Sequence, residues 1–175
     1  MSGLVRGGGG RFLAALLGLV LVGCGYRFTA RADALPTSGK RVFAPAFEND
    51  TAEAGIEAEF TNAFRAELAN AHADGDARSA VRALGSLSAL GGGPELLRTD
   101  ERGNPVALAS YTTGITLCVR LVEGPKPLGS ACVNGSEDYA PGGDPLQTEA
   151  ARRLALRRLA QRLAREVFEH LASGF

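Results

Sequence analysis

One stretch restricts the fold more than any other. From Gly114 to Leu121, the apolar residues Ile115, Leu117, Val119 and Leu121 alternate with Gly114, Thr116, Cys118 and Arg120. A period of two places the first set on one face of a strand and the second on the other. The strand is read over Val106–Val122, with Gly124-Pro125-Lys126-Pro127 as a turn and Leu128–Tyr139 as the returning strand. Ala131 and Val133 extend the apolar face. A ribbon with one apolar face must bury it against other elements.

Two helices can cover it. The first opens at Asn49-Asp50-Thr51, where Asp50 and Glu53 resemble a capping pair. Ile56, Phe60, Phe64 and Leu68 then recur every fourth residue, and the helix fades between Asn70 and Gly75. The second starts at Asp144 with Pro145 in its first position. Leu156, Ala160, Leu163, Val167 and Leu171 gather on one side of it. Two further strands complete the set. Arg41–Phe47 is broken chemically by Pro45, which cannot donate to a ladder. Ser79–Leu90 is stopped by Gly91-Gly92-Gly93-Pro94, and a polar loop follows to about Pro105. The order is β-α-β-β-β-α. It predicts an α+β fold, a two-layer sandwich of a four-stranded sheet with two helices packed on one face.

The hairpin carries a second expectation. Symmetry about Pro125 sets Leu117 opposite Val133 and Val119 opposite Ala131. It also sets Cys118 opposite Cys132, on the polar face. Opposed residues of an antiparallel pair lie within disulfide reach where the site is not hydrogen-bonded. A Cys118–Cys132 bridge is expected; a turn one residue out of register would leave two free thiols.

The N-terminal region divides the chain. Arg6 and Arg11 precede an uncharged apolar run, Phe12–Val22, of eleven residues. A bilayer span needs roughly 20, whereas a secretory leader needs only such a run. Leu21-Val22-Gly23-Cys24 resembles the lipobox of bacterial lipoproteins. Small Gly23 admits the peptidase, and the Cys24 thiol and freed amine take acyl chains. Each buried CH2 contributes about 0.8 kcal/mol, so several chains anchor stably where one does not. Residues 1–23 are read as a removed leader, 24–39 as a lipidated tether and 40–172 as a single domain. Gly25 rather than Asp follows Cys24, which favours the outer membrane over inner-membrane retention.

Charge excludes one class of partner. Arg6 and Arg11 leave with the leader, so 17 Lys+Arg face 19 Asp+Glu, a net of −2. That is a poor balance for a nucleic-acid binder, and none is expected. Composition also argues against an enzyme. The two histidines, His72 and His170, sit near helix ends, where solvation or capping is their common role. No nucleophile–base motif, phosphate-binding loop, Cys-x-x-Cys or metal-ligand spacing occurs. No metal and no cofactor are expected beyond lipid on Cys24.

The local excess of cations is on the last helix. From Leu146 to Ala172 there are six arginines and three glutamates. Arg158, Arg162 and Arg165 lie opposite the apolar side. They form either a solvated face with Arg162–Glu166 and Arg165–Glu169 pairs or a surface for an anionic ligand, since arginine's fork suits phosphate.

Taken in order, these features resemble the lipopolysaccharide-assembly lipoprotein family LptE. The resemblance rests on Cys24-Gly25-Tyr26, Leu35-Pro36, the Val42–Phe47 strand with Asn49 and Thr51, Glu67-Leu68, Gly85, Tyr139 and the closing Ala/Leu/Arg helix, over about Cys24–Leu171. Few matching residues are polar, and Gly75–Pro105 matches in pattern alone. The resemblance implies a non-enzymatic protein at the periplasmic face of the outer membrane. It would partner and plug the lumen of a large β-barrel, LptD, and contact lipopolysaccharide. The candidate contacts, from charge and loop position, are Arg98 and Arg102 in one loop and Lys126 at the hairpin tip. A different role for a similar module is an outer-membrane lipoprotein that serves as adaptor or activator of a periplasmic enzyme or secretion pore.

Overall fold

The computed structural model describes residues 35–103 and 105–174. The elements are β1 (Val42–Phe43), β2 (Glu48–Asn49), α1 (Ile56–Asn70), β3 (Val81–Thr99), β4 (Pro105–Glu123), β5 (Lys126–Tyr139) and α2 (Pro145–Ser173). The sheet is mixed and five-stranded. β3, β4 and β5 form an antiparallel meander, and β1 and β2 both pair parallel with β3 on its other side. Both helices cover one face, so the two-layer α+β sandwich holds, with one strand more than expected.

The extra strand has a local cause. Pro45 interrupts the 41–49 segment, and α1 takes the backbone groups around it. Arg65 donates to the Ala44 carbonyl from Nε and Nη2 at 2.9 and 2.7 Å. The Phe47 N–H donates to Thr61 Oγ1 at 3.0 Å. With those groups satisfied from the helix, the chain pairs with β3 only on either side of the break, at Val42↔Val81 and Glu48↔Ser86.

α1 begins later than Asp50. Its N-cap is Gly55 at φ 92, a left-handed conformation that suits glycine. Capping passes to Glu57, whose carboxylate accepts from the Gly55 N–H at 3.0 Å and from Asn49 Nδ2 at 2.8 Å. Asn49 ties the connection together: its Oδ1 accepts from Thr51 N–H, and its Nδ2 also donates to the Glu53 carbonyl. Hydrogen bonds from its own backbone and from Asn49 hold the Glu57 carboxyl below its usual range. α2 starts as expected, with Asp144 Oδ1 accepting from the Gln147 N–H at 2.8 Å and Pro145 next.

The glycine triplet bends β3 instead of ending it. The register shifts between Ala89 and Gly91, and Gly91 takes φ 97, as a bulge requires. A side chain on Gly92 would lie 2.2 Å from the Thr112 carbonyl oxygen. Glycine there lets β3 and β4 approach, so the ribbon continues to Thr99↔Pro105.

The core lies between the layers. Val81, Leu87, Leu117, Val119 and Leu121 face Phe60, Phe64, Leu68, Leu159, Leu163 and Val167, all buried. Gly85 belongs to this fit, because a Cβ on it would sit 2.4 Å from the buried Phe47 ring. Gly85→Ala is therefore expected to cost about 1–3 kcal/mol through overpacking. Gly93→Ala, with nothing within 4 Å, is the near-neutral control in the same thermal melts.

The described chain enters beside the β4–β5 hairpin. Leu35 and Thr37, on the tether side of the expected domain start, are buried. Lys40 pairs with Glu123 at the hairpin. The β3–β4 turn lies at the other end of β4. Nineteen residues at ~3.3 Å each separate the two tips by about 60 Å.

Candidate functional site

The candidate residues fall into separate places. Arg98 lies within β3, opposite Ala107, and not in a loop; its side chain is outside the described residues. Arg102 is exposed in the β3–β4 turn, its N–H held by Asp100 Oδ1 at 2.9 Å. Lys126 is exposed at the β4–β5 tip, opposite Glu123. Arg102 and Lys126 thus mark opposite ends of the molecule and cannot form one site.

Cys118 and Cys132 are opposed in the ladder, in the register that also pairs Leu117 with Val133. Their Sγ atoms are joined, with Cα atoms 4.1 Å apart. Cys24 and the leader lie outside the described residues. Among the described residues no group of three His, Cys, Asp or Glu side chains is placed to hold a metal ion. No helix of the described residues is long and apolar enough to cross a membrane.

Four arginines of α2, Arg152, Arg157, Arg162 and Arg165, have long-range partners, whereas Arg153 pairs locally with Glu149 at i,i+4. The Arg162–Glu166 and Arg165–Glu169 pairs of the solvated-face alternative do not form. Arg165 reaches Glu67 on α1 at 3.6 Å, and Arg157 reaches Glu59 at 3.9 Å. Arg152 pairs with Glu53 and lies 3.5 Å from Glu149. Arg162 donates to the Ser136 carbonyl of β5 at 2.7 Å and meets Glu137 at 3.5 Å. For Arg162 and Arg165, partners on neighbouring elements compete better than i,i+4 carboxylates because those elements are already fixed by the core. Arg158, Arg162 and Arg165 still border one shallow depression of about 440 Å³ with Glu166 and Glu169. Two of its three cations are engaged elsewhere, which weakens it as an anion site. The pairs of the exposed Arg157, Arg162 and Arg165 each contribute under about 1 kcal/mol.

A cleft that no sequence candidate pointed to lies where the sheet outruns the helices. It measures about 300 Å³. Its sheet side is Gly91–Gly93, Tyr111 and Tyr139, and its other wall is Glu53 and Arg152. Tyr111 and Tyr139 are directly opposed, with ring centroids 5.5 Å apart and planes 17° from parallel. Both rings are half-buried. The Glu53 hydrogen bond raises the Arg152 pKa against the opposing effect of burial, with smaller contributions from the charges of Glu53 and Glu149. The Arg153 hydrogen bond holds Glu149 below the usual carboxylate range. The signal for this cleft was in the sequence. Tyr111 and Tyr139 obey the same symmetry about Pro125 that pairs the cysteines.

The lipopolysaccharide-assembly family LptE matches residues 39–171. The chain belongs to that family. No curated protein matches it. Among solved structures, a candidate lipoprotein from Caulobacter crescentus CB15 is 18% identical, with a TM-score of 0.50 over 73% of this chain and 89% of that one. Rare lipoprotein B from Shewanella oneidensis is 14% identical, with a TM-score of 0.47 over 73% and 93%. Lipoprotein B from Nitrosomonas europaea is 11% identical, with a TM-score of 0.48 over 86% and 92%. At these identities the likeness to the Caulobacter protein speaks for the fold alone. For this LptE-family chain, the residues behind the resemblance now have structural roles. Asn49 and Thr51 build the entry to α1, Gly85 makes room for Phe47, and Tyr139 closes the hairpin against Tyr111.

Proposed function

We propose that this LptE-family protein is an outer-membrane lipoprotein, held at the periplasmic face by acyl chains on Cys24. In this reading it inserts into and plugs an LptD-type β-barrel and assists lipopolysaccharide assembly at the cell surface. The role is non-enzymatic. The observation that carries the reading is the family match over residues 39–171, which spans every element from β1 to the last turn of α2. The lipobox-like Leu21-Val22-Gly23-Cys24 supports the anchor. Lipopolysaccharide is anionic, so Arg98, Arg102 and Lys126 remain the proposed contacts. Their positions make them two contacts: the β3–β4 ribbon engages one part of the path and the hairpin tip another.

A mild-detergent pull-down from outer membranes through a C-terminal tag tests the proposal. The expected result is a stoichiometric, heat-modifiable β-barrel, with recovery in the membrane fraction falling sharply in Cys24→Ala. A soluble or wall-bound partner and no barrel would favour the adaptor role instead. Charge reversal at Arg102 and at Lys126 should each weaken lipopolysaccharide binding. Unchanged binding in the double variant would remove these contacts while leaving the barrel partnership standing.

A further inference from the structure

We propose that the cleft between the Tyr111–Tyr139 pair and Arg152 binds an uncharged pyranose ring of a glycan. The site is distinct from the cationic contacts at the two tips, and it does not depend on the barrel partnership.

Three features converge there. The first is the aromatic pair. Two half-buried tyrosine rings lie nearly parallel on adjacent strands. The parts of the rings not covered by each other offer an apolar surface for the C–H face of a sugar ring. The second is the bare backbone of Gly91–Gly93, which keeps the floor open: a Cβ on Gly91 or Gly93 would meet nothing within 4 Å. The third is a fixed set of donors and acceptors. The side chains of Arg152 and Glu53 remain 27% and 31% exposed although paired with each other. Guanidinium donors beside carboxylate acceptors match the paired hydroxyls of a sugar, each of which both donates and accepts.

Charge decides the ligand class. Arg152 is already paired with Glu53, and it shares Glu149 with Arg153. A phosphate would have to displace a carboxylate and face the acid left behind, whereas a neutral polyol leaves the pairs intact. Size agrees. At about 300 Å³ the cleft is at the small end of ligand sites, suited to one ring of a longer glycan.

The chain provides its own probe. It has no tryptophan and three tyrosines, two of which line the cleft, so its intrinsic fluorescence reports on the site. The full chain in detergent is titrated with maltose, galactose and N-acetylglucosamine. It is also titrated with lipid-free oligosaccharide released from lipopolysaccharide. Inorganic phosphate and glucose 6-phosphate are the anionic probes. At least one uncharged probe is expected to give a saturable change. Tyr139→Ala and Glu53→Gln, each shown to be folded by circular dichroism, are expected to weaken it about tenfold, the loss of one strong contact. Tyr139→Phe keeps the ring and should retain most of the binding, read by calorimetry. A response to a neutral sugar that the released oligosaccharide shares places the source in lipopolysaccharide. A response to N-acetylglucosamine alone places it in the wall glycan. No saturable response to any uncharged probe overturns the proposal. So does phosphate or glucose 6-phosphate binding as tightly as the best neutral sugar.

Discussion

Phe64→Ala is expected to destabilise the domain by about 3–5 kcal/mol, the usual cost of emptying a fully buried phenylalanine site. Phe64 is 0% exposed. Its ring lies 5.7 Å from that of Phe47 and 6.5 Å from that of Phe168, between the broken β1–β2 segment and α2. The neighbours cannot close the gap easily. Phe47 is wedged over Gly85, and α1 is tied to the Ala44 carbonyl by Arg65. For a domain of this size each kcal/mol lowers Tm by a few degrees, so the midpoint should fall by about 10 °C or more. A fall of under about 3 °C would mean that Phe64 is not the centre of the core.

The second large effect concerns the disulfide. Cys118 and Cys132 enclose the hairpin with a sequence separation of 14. Closing a loop of that length restricts the unfolded chain by an amount equivalent to about 3 kcal/mol. Cys118→Ser with Cys132→Ser should lower the urea midpoint accordingly. The wild-type protein treated with dithiothreitol should shift to the same value. The double variant itself should ignore the reductant. Because the ladder pairs the strands on both sides of the bridge, far-UV circular dichroism of the folded double variant should stay that of the wild type.

What was legible in the sequence was local or symmetric. The alternation in β4 and its reflection about Pro125 matched the register from Tyr111↔Tyr139 to Leu121↔Gly129, the opposed cysteines and the inner face, but next to the turn the ladder shifts by one residue and closes at Glu123↔Lys126 instead of starting at Leu128. Asp144-Pro145 marked the start of α2, and the four-residue spacing of Phe60, Phe64 and Leu68 marked the buried side of α1. What escaped depends on residues far apart in the chain. Glycines 91–93 look like a terminator until Thr112, on another strand, needs Gly92 to lack a side chain. Asp50 looks like a cap, yet Glu57 serves instead because Asn49 steers its carboxylate. The arginine face looks self-paired, yet Glu67 and Ser136 are nearer once the layers assemble. The candidate cations were individually plausible, but no local rule says that Arg102 and Lys126 sit at opposite tips.

The entry of the chain beside the β4–β5 hairpin has a mechanical consequence. Eleven residue steps run from Cys24 to Leu35, and eleven steps reach at most about 40 Å. The distance from tip to tip is about 60 Å along β4. With Cys24 lipidated as proposed, the leash is shorter than the body it holds. The domain can stand up from the membrane or lie along it, but it cannot turn end over end. Whatever meets the β3–β4 turn head-on must therefore approach from beside the domain or from the side away from the anchoring leaflet, and not from the leaflet itself.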